Sequence, residues 1–307
     1  MAVPIVLDCD PGHDDAVAIV VAARHAELLG ITTVAGNAPL DRTTHNALAL
    51  RELLGIDVPV HRGSPRPLVA ELQTSPVVHG ASGLDGAELP TPRRPLDSTD
   101  AVGFIVDTCR RVEGAWIVAV GPLTNVALAL RVAPDLAGRI GGISIMGGGT
   151  FGNRSPVAEF NIWADPEAAA VVFDAGVPLV MAGLDLTFQL LATPARIDAV
   201  RRQPGRLAAT LADLFGFFSA GYIGRHEGLA GAAVHDPCAV LALTHPDLFE
   251  REDRHVAIET TGRLTRGMTV IDRRVQIDRP AANCHVLTRI DADAAWAVIV
   301  DAVGSFA

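Results

Sequence analysis

The chain has 307 residues, 49% of them apolar, and a formal net charge of −10. That balance offers no electrostatic footprint for nucleic acid or an anionic membrane, and no stretch reaches the ~18 uninterrupted apolar residues of a membrane span. All 25 basic residues are arginine, which excludes Schiff-base and P-loop lysine chemistry.

Residues 3–7 are short, apolar and β-branched, which predicts a buried strand, and the Ala-rich run 16–21 predicts a helix. Residues 31–35 read as a second strand ending at Gly36-Asn37, and 41–54 as a helix closed by Gly55. The segment 62–98 is rich in Pro, Gly and Ser and predicts a long loop of the kind that borders sites in α/β enzymes. Further strands are expected at 116–120 and 143–146, with a helix from Thr124 between them. Asp165-Pro166-Glu167 combines an N-cap, a first-turn proline and a first-turn acid, so a helix should start there and end at Gly176. Another strand is expected at 177–183, an antiparallel hairpin within 254–277 and a last helix over 294–303. Alternation of this kind predicts a single α/β domain over 1–307, with a mostly parallel sheet covered by helices on both faces.

The four cysteines are far apart and form no Cys-x-x-Cys pair, which predicts reduced thiols in a cytoplasmic protein rather than a zinc site. No basic region precedes the first apolar stretch, so no signal peptide is expected.

The densest chemical signal is the run Asp8-Cys9-Asp10-Pro11-Gly12-His13-Asp14-Asp15. A helix N-terminus favours one or two acids through its dipole, but that explains Asp14 and Asp15 and leaves Asp8 and Asp10. Four like charges at a strand-to-helix turn call for a counter-charge. A carboxylate-rich turn suits Ca²⁺ or Mg²⁺ better than Zn²⁺. The turn also lies at the carboxyl edge of a sheet, where open α/β folds place ligands. Asn37, Asn153, Glu159 and Asn161 follow other strand ends, and His235-Asp236 opens a helix with an imidazole beside a carboxylate.

Three rival chemistries fail on particular residues. Gly147, Gly149 and Gly152 match a dinucleotide fingerprint, but the next helix is expected only at Asp165, so no helix N-terminus meets a pyrophosphate. Asp8-x-Asp10 resembles the aspartyl-phosphate motif of haloacid-dehalogenase-type phosphatases, which normally uses a lysine that this chain lacks. An EF-hand loop fails because Gly12 comes too early and no acid stands at the twelfth position.

Taken together, DCDPGHDDA, VGPLTN at 120–125, MGGG at 146–149, VAEFNIWADPEAA at 157–169 and VHDPCAV at 234–240 resemble the inosine–uridine-preferring nucleoside hydrolase family. The resemblance spans nearly the whole chain with its motifs in order. It implies a Rossmann-like nucleoside hydrolase fold and hydrolysis of a ribonucleoside's N-glycosidic bond to ribose and free base. It also implies a bound Ca²⁺ held by Asp10, Asp15, Asp236 and the Val120 carbonyl, with Asp10 as general base on a calcium-bound water. Asp14, Asn37, Asn153, Glu159 and Asn161 would hold the ribose, Asp8 and Met146 would support the turn, and His79 and His235 would face the base, His235 supplying its proton. A homo-oligomer, dimer or tetramer, is the implied assembly. The segment 215–228 should cap the base, yet Ser219, Ile223 and Glu227 stand where Tyr or Gln often appear. Tyr222, Arg225 and His226 are therefore the base-pocket candidates, and purine or pyrimidine preference stays open. The alternatives are hydrolysis of another N-riboside or modified nucleoside, and a non-catalytic Ca²⁺-dependent nucleoside-binding protein.

Overall fold

The structure is a computed structural model, and it describes residues 2–223, 228–275 and 278–307. Its strands are β1 (Pro4–Cys9), β2 (Glu27–Thr33), β3 (Val60–Arg62), β4 (Trp116–Ala119), β5 (Gly142–Met146), β6 (Leu179–Ala182), β7 (Leu191–Ala192), β8 (Ala232–Ala233), β9 (Phe249–Arg254), β10 (Val256–Ile258), β11 (Thr269–Ile271) and β12 (Cys284–Ile290). Among the described residues, eight of these form one sheet in the order β3-β2-β1-β4-β5-β6-β12-β9. Every neighbouring pair in it is parallel except β12 with the edge strand β9. Two small antiparallel pairs, β10 with β11 and β7 with β8, lie outside it. This is the expected α/β architecture, and the 254–277 hairpin is present.

Alternation along β1 explains the layering. Ile5, Leu7 and Cys9 enter one apolar core and Val6 enters the other, as period-2 side chains on a sheet buried on both faces must. The first core is closed by helices His13–His25, Gly205–Ile223, Pro237–Thr244 and Ala292–Gly304. The second is closed by Ala101–Arg111, Thr124–Val132 and Pro166–Phe173. The consequence for function lies in the strand order. The chain moves outward from β1 through β2 to β3, then returns to place β4 on the other side of β1. That reversal opens a crevice at the carboxyl ends of β1 and β4, the switch point where α/β sheets take ligands. Asp8 pairs in register with Ala119, so Asp10 and Gly121 emerge side by side there, just beyond Val120.

Several element boundaries differ from the sequence expectation. β2 begins at Glu27 and ends at Thr33; Val34 N–H still donates to the Cys9 carbonyl of β1, and a bend over 35–38 then carries Asn37 to the crevice. The helix capped by Asp165 ends at Phe173, and Gly176, at φ 71°, belongs to the turn beyond it. A short helix, Phe160–Ala164, starts before Asp165 because the Glu159 side chain caps it. The loop 62–98 carries one helical turn, Pro76–His79, which brings a histidine to the site.

Candidate active site

Asp8, the last residue but one of β1, points away from the crevice. Its Oδ1 accepts from Thr32 Oγ1 at 2.5 Å and Asn125 Nδ2 at 2.8 Å. Burial pushes its carboxyl up to about 7, against those two bonds. Asn125 also donates to the Thr33 carbonyl and accepts from Ser64 N–H, so this network ties β1, β2 and the helix after β4 together under the turn.

The next acids form the floor of the crevice. The backbone folds over Asp15, whose Oδ1 accepts from Asp10 N–H at 3.1 Å and Oδ2 from Gly12 N–H at 2.8 Å. Asn37 then stitches the turn to the end of β2. Its N–H donates to Asp10 Oδ2 at 2.6 Å and its side-chain amide to Asp15 Oδ2 at 3.1 Å. The other oxygen of Asp10, Oδ1, is buried and has no hydrogen-bond partner among the described residues. Asp10 fits only because its neighbours are small: a Cβ on Gly36 or Gly121 would overlap one or other of its carboxylate oxygens. Asp236, at the start of helix Pro237–Thr244, completes the group from the far side. Carboxylate oxygens of Asp14, Asp15 and Asp236 all lie within 4.8 Å of one another, with Asp10 alongside.

Such crowding is costly without a counter-charge. Burial above all, and then the mutual repulsion of the four acids, pushes Asp10 and Asp236 well above the usual carboxylate range. The same causes take Asp14 to about 7, and burial raises Asp15. The donor set is all oxygen, which suits a hard cation. The Val120 carbonyl stands at the same edge and accepts from Asn161 Nδ2 at 2.9 Å, which leaves its second lone pair available.

Opposite the acids, Asn161 and Glu159 are locked in place. Asn161 Nδ2 also donates to the Met146 carbonyl at 3.1 Å. Glu159 caps its short helix, Oε1 accepting from Asn161 N–H and Oε2 from Ile162 and Gly148 N–H, while burial raises its carboxyl to about 7. Asn153, on the exposed loop before it, accepts from Phe160 N–H at 2.9 Å. The glycine run 147–149 opens no helix, since the next one starts at Phe160.

A cavity of about 300 Å³ is lined by Asp14, Asn37, Asn161, Tyr222, His235 and Asp236, while Asp10 and Asp15 are buried behind this lining. His79, Val78 and Phe218 also line it. His235 is gripped through both ring nitrogens, Nδ1 by Thr187 Oγ1 at 2.7 Å and Nε2 by the Tyr222 hydroxyl at 3.1 Å. Its backbone N–H donates to Asp14 Oδ2. Arg225 and His226 lie outside the described residues, and of the three base-pocket candidates only Tyr222 can be placed. Sequence reasoning passed over His13, Thr187, Asn125 and Phe218. His13 stood inside the acidic run, and the Phe217-Phe218 pair inside the segment expected to cap the base. Asn125 closes the VGPLTN motif but was not singled out, and Thr187 gave no signal beyond its place after a strand end.

A family model described as inosine-uridine preferring nucleoside hydrolase matches residues 5–297. The chain belongs to this family. The nucleoside hydrolase is 42% identical over 311 residues to the pyrimidine-specific ribonucleoside hydrolase RihA of Shewanella sp. (strain MR-4), covering all of this chain and 98% of that protein. It is equally similar, 42% over 307 residues, to the pyrimidine-specific ribonucleoside hydrolase RihB of Escherichia coli (strain K12 / DH10B), covering 98% of this chain and 97% of that protein. Among solved structures, the purine-preferring ribonucleoside hydrolase from Gardnerella vaginalis superposes with a TM-score of 0.93 at 32% identity, over 99% of this chain and 98% of that one. An inosine-guanosine nucleoside hydrolase gives 0.86 at 29%, over 98% of each chain. This chain is accordingly an N-ribosyl hydrolase acting on ribonucleosides. No helix among the described residues is long and apolar enough to cross a membrane.

Proposed function

We propose that this hydrolase cleaves pyrimidine ribonucleosides with Ca²⁺ bound, Asp10 acting as general base and His235 supplying the proton of the leaving base. The observation that carries the reading is the buried Oδ1 of Asp10, without a hydrogen-bond partner among the described residues, beside three further buried acids and a cavity of nucleoside size. Asp10, Asp15, Asp236 and the Val120 carbonyl would hold the cation. A bound divalent cation would offset the four charges, orient the sugar's vicinal hydroxyls and ease deprotonation of water.

The chain's own groups supply the rest. Water attacks C1′ as the C1′–N bond breaks, and Asp10 takes the water proton. The base leaves with the bonding electron pair and is protonated from His235, with the Tyr222 hydroxyl at its Nε2 as the relay. Positive charge grows on the sugar ring in this transition state. Asp14 and the amide oxygens of Asn37 and Asn161 stabilise that charge more than they stabilise the neutral substrate. Glu159, with both oxygens committed to backbone N–H groups, holds Asn161 in place, and Asn153 borders the ribose from the rim. The pyrimidine preference rests on the names of the two full-length relatives at 42% identity.

Free ribose measured from uridine, cytidine, inosine and adenosine tests the proposal. We expect the two pyrimidine nucleosides to lead, with activity lost on chelation and restored by Ca²⁺. Purine preference would overturn the base assignment, and full activity in excess chelator would overturn the cation.

A further inference from the structure

Ser75 precedes the helical turn Pro76–His79 and joins two parts of the cavity wall. Its backbone N–H donates to the Asn37 carbonyl at 3.0 Å, and its own carbonyl accepts from Val78 and His79 N–H at 3.0 and 3.1 Å. Asn37 belongs to the acid floor, where its side-chain amide donates to Asp15. Val78 and His79 line the other end of the cavity with Phe218 and Tyr222. Ser75 lines it between them and is half-buried. A serine before a helical turn ordinarily spends its side-chain oxygen on the first free N–H groups of that turn. The Ser75 hydroxyl makes no such bond, and it bonds to no other described residue. The backbone is therefore pinned from both sides while the hydroxyl keeps a hydrogen to donate.

In a pyrimidine nucleoside, the group at the junction of sugar and base is the C2 carbonyl, on the carbon next to the glycosidic N1. When the C1′–N1 bond breaks, its electron pair passes to the ring and is shared between N1 and O2. O2 is thus nearly neutral in the substrate and carries part of a negative charge in the transition state. A donor aimed at it stabilises the transition state more than the substrate. We propose that Ser75 is a further catalytic residue, whose hydroxyl donates a hydrogen bond to O2 of the departing pyrimidine. No proton changes hands at Ser75: the bond strengthens as charge grows, and His235 supplies the proton that the base finally takes. The proposal rests on the reading of this cavity as a pyrimidine nucleoside site and adds a second group acting on the leaving base.

Ser75→Ala removes the hydroxyl and no hydrogen bond within the described fold, so its Tm should match wild type. On uridine, kcat should fall by about tenfold to a hundredfold with KM little changed, the range for a hydrogen bond to a charged group that exists only in the transition state. Ser75→Thr keeps a hydroxyl and should recover most of the loss. p-Nitrophenyl riboside, whose leaving group has no carbonyl beside the scissile bond, should lose little in Ser75→Ala. In a His235→Ala background the base leaves with more charge, so adding Ser75→Ala should cost at least as large a factor again. A loss that vanishes in that background would mean that Ser75 acts through His235, and would overturn the proposal. Unchanged kcat on uridine, equal losses on both substrates, or a collapse of Tm in Ser75→Ala would overturn it too. The two readings fail separately: uridine turnover indifferent to Ser75→Ala sinks this proposal alone, whereas wild-type enzyme that cleaves inosine but not uridine sinks the pyrimidine reading and this proposal with it.

Discussion

Asp10→Asn separates catalysis from architecture with little structural disturbance. The amide oxygen of asparagine can keep the 2.6 Å bond from Asn37 N–H, and the amide nitrogen takes the place of Oδ1, which bonds to no described residue. No hydrogen bond of the fold is lost, and one of four mutually repelling charges is removed. In chelator, thermal unfolding should therefore occur at the same temperature as in wild type or a higher one. Turnover should drop sharply, because an amide cannot take the proton of the attacking water. A general base contributes ~10²–10⁴ in kcat, or about 2.7–5.4 kcal/mol of barrier at 1.36 kcal/mol per tenfold. The assay is ribose release from uridine at saturating Ca²⁺, with Tm measured in parallel with and without Ca²⁺. The rise in Tm on adding Ca²⁺ should also shrink, since a ligand oxygen is gone. Turnover near wild type would remove Asp10 from the mechanism. A loss of turnover matched by collapse of Tm in chelator would show that the residue acts through the fold instead.

His235→Ala should lower kcat on uridine by ~10²–10³ while sparing p-nitrophenyl riboside, and equal losses at saturating Ca²⁺ would refute the acid role. 2′-Deoxyuridine should be worse than uridine in kcat/KM by roughly 10⁴–10⁵ if cation and amides read the hydroxyl, and comparable values would sink that assignment. Gly121→Ala drives a methyl into Asp10 Oδ1, so kcat should fall by about 10² from misplacement alone, and an unaffected kcat would mean that Asp10 tolerates movement. The acid cluster also sets a pH dependence. Its carboxyls are raised in the folded state, with Asp14 at about 7, so in chelator their contribution to stability is full below about pH 4, the carboxylate range of the unfolded chain, and is lost as pH rises through 7. The Ca²⁺-induced rise in Tm should then be larger at pH 8 than at pH 5, and equal rises would contradict the assigned ligands.

Much of this protein was legible in local pattern. β-Branched and Ala-rich runs marked β1 and the helix after it, because burial on both faces of a parallel sheet demands continuous apolar stretches. Asp165-Pro166 and Gly55 marked a helix start and a helix stop through backbone chemistry that acts within one turn. The acid run was visible for the same reason, since four like charges in eight residues violate what an ordinary turn requires. What pattern could not supply was any relation between distant segments. Periodicity did not reveal that β4 returns to the far side of β1, and this return sets Gly121 beside Asp10 and makes a crevice. Asn125, 117 positions from Asp8, ends the VGPLTN motif, but its role has no local signature because its partners exist only once the sheet has formed. The same holds for His13, which reads as a spacer in an acidic motif until a helical turn from the 62–98 loop brings His79 within 3.1 Å. The sequence determined the layers and the charges; the tertiary structure decided which of them meet, because side-chain chemistry acts over a few ångströms and only the crossover of the sheet brings residues so far apart in the chain that close.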